Sequence, residues 1–204
     1  MNAVTQGLAR HIGANALAAL GRVRVGIAGA GGLGSNCAMH LVRSGFTHLT
    51  LCDFDSVDAS NLNRQFFFAS QTGMPKVDAL ADNLRAIRPD LHLDLHRERL
   101  DESSAPRILA GCDAVVECLD DARAKAMLAT TIGPKIGLYV GASGIAGCNA
   151  ARRMDVTRFA ATMFIVGDMR SSCDELPPLS PGVGMAAAMQ AEIVLAHFLK
   201  EHRA

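Results

Sequence analysis

Short apolar runs alternate with segments of helical spacing along most of the chain, and this alternation is the strongest constraint on its fold. Val23–Gly29 and His48–Asp53 are apolar runs of strand length, and Leu33–Ser44 between them places apolar residues on one helical face. Similar pairs of patterns continue as far as Ala142. Repeated strand–helix units predict an α/β fold with a mainly parallel sheet and helices on both faces.

The pattern changes in the last quarter of the chain. Arg152–Val156 and Phe164–Val166 predict two shorter strands, which we expect to form an antiparallel extension of the sheet. The segment 170–184 holds three prolines and predicts a loop or crossing segment, and Met185–Lys200 predicts a terminal helix. No linker is evident, so residues 1–204 are expected to form a single domain. Its Rossmann-like core would lie at about 20–150 and the extension, loop and helix at 151–204.

Composition excludes several functional classes. The formal net charge is zero, only 4% of the residues are aromatic and there is no Trp, which argues against nucleic-acid binding. The amino terminus lacks the apolar run and cleavage site of a secretory signal. The apolar stretch Gly184–Leu199 is interrupted by polar residues and is too short to cross a bilayer. We therefore expect a soluble, cytoplasmic protein without a membrane partner.

The cysteines predict neither a disulfide framework nor a zinc ribbon. No two of the six form a Cys-x-x-Cys pair, and most have apolar neighbours, so buried hydrophobic positions are expected for them. They are Cys37, Cys52, Cys112, Cys118, Cys148 and Cys173.

A glycine-rich turn, GAGGLG, joins the first predicted strand to the first predicted helix. Glycines let a phosphate approach the backbone closely, and the helix that follows offers free N–H groups at its positive end. We predict a nucleotide site there rather than a plain strand-to-helix turn. The glycines expected to line it are Gly29, Gly31, Gly32 and Gly34.

Asp53 ends the second predicted strand, 19 residues after Gly34. An acid at that place can accept hydrogen bonds from ribose hydroxyls, although a turn-capping aspartate would suit the same position. Neither Asp53 nor the glycines distinguish ATP from a dinucleotide.

Three later side chains favour a triphosphate. Arg64 can hold phosphate oxygens with two nitrogens, and Lys76, at the start of a predicted helix, can add a second cation. Asp120 follows the fourth predicted strand, where a carboxylate can hold Mg²⁺ that bridges phosphates. The alternatives are a solvated surface lysine at position 76 and a helix cap in the acidic cluster 117–121, which suits Asp121 better than Asp120.

In these motifs the chain resembles the ThiF/MoeB adenylyltransferases, relatives of the ubiquitin-activating enzymes. The S-N-L-N-R-Q stretch is the most specific match, and the short length, with VGD at 166–168, is most similar to the compact ThiF-type proteins of thiamine biosynthesis. The matching segments follow the family order across roughly residues 20–150. They are GAGGLGSN (29–36), LCDFDSVDASNLNRQ (51–65), GMPKVDAL (73–80), ECLDD (117–121) and, more weakly, VGASGIAG (140–147).

The resemblance implies adenylylation, by ATP with Mg²⁺, of the C-terminal Gly-Gly carboxylate of a ThiS-like, ubiquitin-fold sulfur carrier. By motif position, Asp53 would bind the ribose. Asn61, Arg64 and Lys76 would contact the triphosphate, and Asp120 would coordinate Mg²⁺. A homodimer and a sulfur donor protein are also implied.

Some positions depart from the family pattern or match it weakly. Asp121 stands where the family often has Asn, and the Cys-x-x-Cys zinc ligands of many members are absent, so no structural zinc is expected. Arg10, whose flanking sequence matches poorly, is the candidate for the arginine that reaches the ATP of the partner subunit. Cys173, in the Pro-rich segment, is either an incidental loop cysteine or the residue that forms a sulfur-bearing link to the carrier.

Three other functions account for the sequence less fully. A nicotinamide-dependent oxidoreductase would share the glycine turn and Asp53 but has no need of Arg64 or Asp120. A non-catalytic, carrier-binding relative would be expected to have lost one of those two side chains. The same chemistry on a molybdopterin-type or other carrier would use an identical site and stays open.

Overall fold

The computed structural model describes residues 3–148 and 154–200. Its strands form one seven-stranded sheet. The strands β1 to β7 are Arg24–Ala28, His48–Cys52, His92–His96, Ala114–Glu117, Leu138–Ala142, Asp155–Ala160 and Met163–Gly167. The helices α1 to α7 are Ala3–Ile12, Ala14–Leu20, Gly32–Arg43, Lys76–Ile87, Ser104–Leu109, Ala122–Thr131 and Ser180–Lys200. Short 3₁₀ turns occupy Ala59–Asn61, Ala69–Gln71 and Gly133–Lys135.

The strand order is β3-β2-β1-β4-β5-β7-β6. All neighbouring pairs are parallel except β6 and β7, which run antiparallel. The predicted mainly parallel sheet with a C-terminal antiparallel extension is therefore confirmed. Only β6 supplies the antiparallel part, because β7 pairs in parallel with β5 and the tight connection from β6 to β7 reverses the chain. The start predicted for the first of these strands, at 152–153, lies outside the described residues.

Successive residues of the central strands face opposite sides of the sheet. Val25 and Ile27 of β1 pack into a larger cluster with α3, α4 and α7, whereas Ala28 packs on the other side, with α5 and α6. Val115 of β4 joins the second cluster and Val116 the first. The sheet thus has helices on both faces, as predicted.

The last helix begins earlier than the sequence suggested. It starts at Ser180 instead of Met185, because Pro181 lies in the first turn, where proline costs no intrahelical hydrogen bond. Over its length, α7 is apolar enough for a membrane span, and 44% of its most apolar window is buried. Packing of Val183 and Val194 into the core beside α3 accounts for this apolar character within the fold.

Candidate active site

The glycine turn between β1 and α3 has no room for a side chain at two of its positions. Gly29 has φ +99°, and a Cβ atom there would lie 2.7 Å from the carbonyl oxygen of Cys118. A Cβ at Gly34 would lie 1.8 Å from the carbonyl oxygen of Gly29. The first turn of α3 begins after Gly31, which has no side chain to cap it. The N–H groups of that turn are therefore available to an anion.

Asp53 is fixed at this glycine turn. Its Oδ2 accepts a hydrogen bond from the backbone N–H of Ala30 at 2.6 Å, and its Oδ1 accepts one from Asp55 N–H at 2.8 Å. Burial raises the pKa of Asp53 above its ordinary value, while the ammonium of Lys76 and the two N–H donors act in the opposite direction. The structure thus brings the predicted ribose-binding carboxylate to the edge of the predicted phosphate site.

The segment that carries Arg64 is hydrogen-bonded to the first turns of α3. Ser35 Oγ accepts a hydrogen bond from Phe66 N–H at 2.9 Å, and Asn36 Nδ2 donates to the carbonyl oxygen of Arg64 at 2.9 Å. A Cβ at Gly32 would lie 3.5 Å from Cγ of Arg64, so the aliphatic stem of this arginine runs beside the glycine turn. Arg64 and the helix N-terminus are therefore neighbours.

The side-chain amides of Asn61 and Gln65 form a pair within the same segment. Gln65 Nε2 donates to Asn61 Oδ1 at 2.7 Å. The amide nitrogen of Asn61 is thus its remaining polar atom, and it donates to Ser60 Oγ at 3.0 Å. Oε1 of the buried Gln65 has no hydrogen-bond partner among the described residues. Gln65 belongs to the S-N-L-N-R-Q stretch, whose clustered Asn, Arg and Gln favour a triphosphate site, but the sequence assigns it no role of its own.

Lys76 is not a solvated surface lysine. Its side chain is 8% exposed, and Nζ donates to Asp55 Oδ2 at 2.7 Å. Its backbone N–H also donates to the carbonyl oxygen of Asp55 at 2.9 Å. Because Asp55 is itself hydrogen-bonded to Asp53, the ammonium of Lys76 belongs to the same group of charges.

Asp120 lies three residues beyond β4, in the turn that passes the glycines. The backbone of Cys118 and Leu119 in this turn lies against Gly29. The adjacent Asp121 caps α6 by accepting the N–H of Ala124 at 2.8 Å. Within residues 3–148 and 154–200, the exposed carboxylate of Asp120 has no hydrogen bond or ion pair. An uncommitted carboxylate beside a phosphate site suits the oxygen-ligand preference of Mg²⁺.

A buried ion pair beneath this turn was not expected from the sequence. Glu117, 2% exposed, accepts hydrogen bonds from Lys125 Nζ at 2.9 Å and from Leu119 N–H at 2.7 Å. Lys125 Nζ also donates to the carbonyl oxygen of Ala142 at 3.0 Å. The acidic cluster pointed to Glu117 only as a helix cap, and nothing in the spacing of Lys125 marked it as a partner.

We expect Lys125→Met to lower the free energy of unfolding by about 2–3 kcal/mol near neutral pH, because Glu117 would stay buried without its cation. Burial raises the pKa of Glu117, and Lys125 is the strongest opposing influence, so its removal raises that pKa further. A raised pKa in the folded state favours folding while the carboxyl is protonated, and this advantage is lost as the pH rises through that pKa. The loss should therefore be smallest near pH ~4 and grow toward pH ~7.5.

Urea unfolding of the wild type and Lys125→Met at both pH values measures this dependence. An equal loss of stability at acidic and neutral pH would contradict a charge effect and would indicate only lost packing of the lysine stem.

The remaining two candidates are exposed and belong to other elements of the chain. Cys173 is exposed in the segment that follows β7, and Arg10 is exposed on α1. The segment after β7 is fastened to the segment after β5, since Gly147 N–H donates to the carbonyl oxygen of Pro177 at 2.9 Å. Both segments leave the carboxyl ends of parallel strands, the sheet edge that also carries Asp120. Among the described residues, no three His, Cys, Asp or Glu side chains form a group suited to a metal ion.

A family model and several known proteins are similar to this chain over most of its length. A model of the ThiF family matches residues 5–203. The molybdopterin-synthase adenylyltransferase of Salmonella typhimurium is 33% identical over 196 residues, covering 88% of this chain and 76% of that protein. The protein of the same name from Escherichia coli K12 is 31% identical over 181 residues, covering 82% of this chain and 70% of that one.

Solved structures show the same fold. The E. coli tRNA N6-threonylcarbamoyladenosine dehydratase, TcdA, has a TM-score of 0.80 at 24% identity, over 97% of this chain and 93% of that chain. It has also been solved in complex with ATP, again with a TM-score of 0.80. The family model spans nearly the whole sequence, and two named adenylyltransferases exceed 30% identity over most of it. The prediction that this chain is an enzyme similar to the ThiF/MoeB adenylyltransferases is confirmed, and the chain belongs to the ThiF family.

Proposed function

We propose that this protein binds ATP with Mg²⁺ and adenylylates the C-terminal Gly-Gly carboxylate of a small ubiquitin-fold carrier protein. The observation that carries the proposal is the grouping of Asp53, Arg64 and Lys76 around the start of α3, with Asp120 on the turn that touches Gly29. A triphosphate needs this combination of cations, helix N-terminus and metal-binding carboxylate, whereas hydride transfer does not. Binding of ATP by the structurally similar TcdA supports the choice of nucleotide.

The chemistry follows from the charges at the site. An oxygen of the carrier carboxylate would form a bond to the α-phosphorus of ATP, and the bond from that phosphorus to the bridging oxygen would break, releasing pyrophosphate. The attacking carboxylate is already ionised at neutral pH, so no general base is required. Arg64, Lys76 and the N–H groups of α3 would stabilise the negative charge that gathers on the leaving pyrophosphate. Mg²⁺, held by Asp120, would supply further neutralisation of the phosphates when bound.

The carrier is proposed to be ThiS-like, with sulfur transfer for thiamine biosynthesis as the outcome. The names of the Salmonella typhimurium and E. coli relatives favour a second candidate, the carrier of molybdopterin synthase. A cytoplasmic homodimer and a sulfur donor protein complete the proposal. Within it, the exposed Arg10 would reach the ATP of the partner subunit. The sulfur of the exposed Cys173 would bond to the carbonyl carbon of the adenylylated carrier while AMP leaves, which forms the sulfur-bearing link.

ATP–pyrophosphate exchange with purified Gly-Gly carriers tests this function. We expect exchange to depend on the carrier and on its terminal glycine, and to be greatest with the ThiS-like carrier of the host. Greater exchange with the molybdopterin-type carrier would favour the second candidate. Absence of exchange with every carrier, together with absence of ATP binding, would favour a non-catalytic relative and contradict the proposal.

Substitution of Arg64 provides a prediction at one residue. Arg64→Ala should reduce exchange by about a hundredfold, because it removes a cation that acts on the leaving pyrophosphate. The fold should be retained, since the guanidinium is exposed and its nearest donated bond, 2.8 Å long, goes to Asn63. Arg85→Ala, which removes an exposed arginine from α4, is the matched control and should leave exchange unchanged. Exchange at the wild-type rate in Arg64→Ala would remove this arginine from the mechanism.

A further inference from the structure

The carboxylate of Glu117 is a buried junction between four elements. Lys125 Nζ of α6 and the backbone N–H of Leu119 donate to its Oε1, and Lys125 Nζ also donates to the carbonyl oxygen of Ala142 in β5. Gln190 of α7 donates to its backbone carbonyl oxygen at 2.9 Å. One residue thus connects the end of β4 to β5, α6 and α7. Both hydrogen-bond partners of its carboxylate are donors.

This junction lies directly under the turn that carries Asp120. The bond from Leu119 N–H to Glu117 Oε1, 2.7 Å long, closes the turn one residue before Asp120. After Asp120, the chain enters α6, in which Lys125 lies one helical turn after Asp121. The backbone N–H of Lys125 donates to the carbonyl oxygen of Asp121 at 3.0 Å. The two residues of the ion pair therefore belong to the backbone segments on either side of Asp120, with β4 before it and α6 after it.

Stability alone gives little reason for such an arrangement. A buried ion pair loses hydration that its mutual attraction only partly restores, and apolar residues of similar volume are often as stable or more so. Polar groups near a metal site have another use, because the residues that support the metal ligands fix the orientation of those ligands. The Glu117 side chain, 3% exposed, can act on Asp120 only through the backbone of the turn, where it accepts the N–H of Leu119 at 2.7 Å.

We propose that Glu117 and Lys125 are positioning residues that hold the Asp120 turn against the glycine turn, so that the Asp120 carboxylate is oriented for Mg²⁺ before ATP binds. The inference rests on the proposed function, because it assigns to Asp120 the role of metal ligand. Substitution of Glu117 or Lys125 should weaken the contribution of Mg²⁺ to ATP binding, although neither side chain touches the nucleotide.

Calorimetric titration of ATP at a series of Mg²⁺ concentrations tests the proposal without relying on catalysis. In Glu117→Gln, the negative charge that holds the ammonium of Lys125 is lost, and the Mg²⁺ concentration for half-maximal ATP affinity should rise about tenfold. Lys125→Met should behave alike, and Lys125→Arg should stay close to the wild type. Arg88→Met removes a buried guanidinium from its ion pair with the exposed Asp90, just after α4. This variant is the control and should change stability but not the Mg²⁺ response.

The double variant Glu117→Met with Lys125→Met separates positioning from simple stabilisation. Without a buried charge it should regain the thermal stability lost in Lys125→Met, yet keep the weakened Mg²⁺ response. Recovery of both properties together would overturn the inference and leave the pair a structural one, as would a wild-type Mg²⁺ response in Glu117→Gln. Failure of the wild type to bind ATP in the presence of Mg²⁺ would instead overturn the proposed function, and this inference with it.

Discussion

Asp120→Asn is expected to reduce ATP–pyrophosphate exchange by about a thousandfold, equivalent to roughly 4 kcal/mol of transition-state stabilisation. The substitution keeps the size of the side chain and removes the charge that would hold Mg²⁺. Because Asp120 is exposed and has no partner among the described residues, its loss should leave the melting temperature unchanged. Exchange assays and thermal unfolding of the same preparation measure the two quantities.

The neighbouring Asp121→Asn is the matched control. Asp121 is also exposed, and its side chain caps α6 through the N–H of Ala124 at 2.8 Å, a role that asparagine fills almost as well. It should keep nearly full exchange activity. If Asp120→Asn and Asp121→Asn lost activity equally, the carboxylate that matters would not have been identified, and the metal site would have to be placed elsewhere in the turn.

Gly34→Ala is expected to abolish ATP binding and to lower the free energy of unfolding by about 3 kcal/mol or more. The added Cβ would lie 1.8 Å from the carbonyl oxygen of Gly29, a backbone atom that cannot move away without opening the glycine turn. The same displacement would shift the start of α3, where the phosphates are proposed to bind. Urea unfolding and titration with ATP give the two measurements.

Gly184→Ala in α7 is the control for this substitution. Among the described residues, apart from its chain neighbours and the nearby backbone of α7, no atom lies within 4 Å of a Cβ built at Gly184. Alanine should therefore stabilise the helix by about 0.5–1 kcal/mol and leave ATP binding intact. ATP binding at wild-type affinity in Gly34→Ala would show that the close approach of the two glycines is not needed for the nucleotide site.

Local sequence patterns predicted the features of this fold that depend on residues close together in the chain. The alternation of strand and helix gave the parallel sheet, and the glycine turn, Asp53 and Asp121 occur where strand ends and helix starts were expected. The start of α7 at Ser180 was missed because the prolines nearby were interpreted as helix breakers, although a proline in a first turn is tolerated.

Features that depend on pairing between distant elements could not be predicted in this way. Lys76 was expected to be near the phosphates, but its burial and its bond to Asp55 arise from the packing of α4 against the segment after β2. The junction at Glu117 joins residues from β4, β5, α6 and α7, and no spacing along the chain marks such a set. The pairing of Asn61 with Gln65 became visible only with the turn at Ala59–Asn61 in place.

A crystal structure with a non-hydrolysable ATP analogue and Mg²⁺ would show where the triphosphate binds. The phosphates are predicted to lie at the first turn of α3, with Arg64 and Lys76 in contact with them, Asp120 on the metal ion and Asp53 on the ribose. A nucleotide bound at another edge of the sheet, or bound at this one with Asp120 and Arg64 turned away from it, would contradict the account.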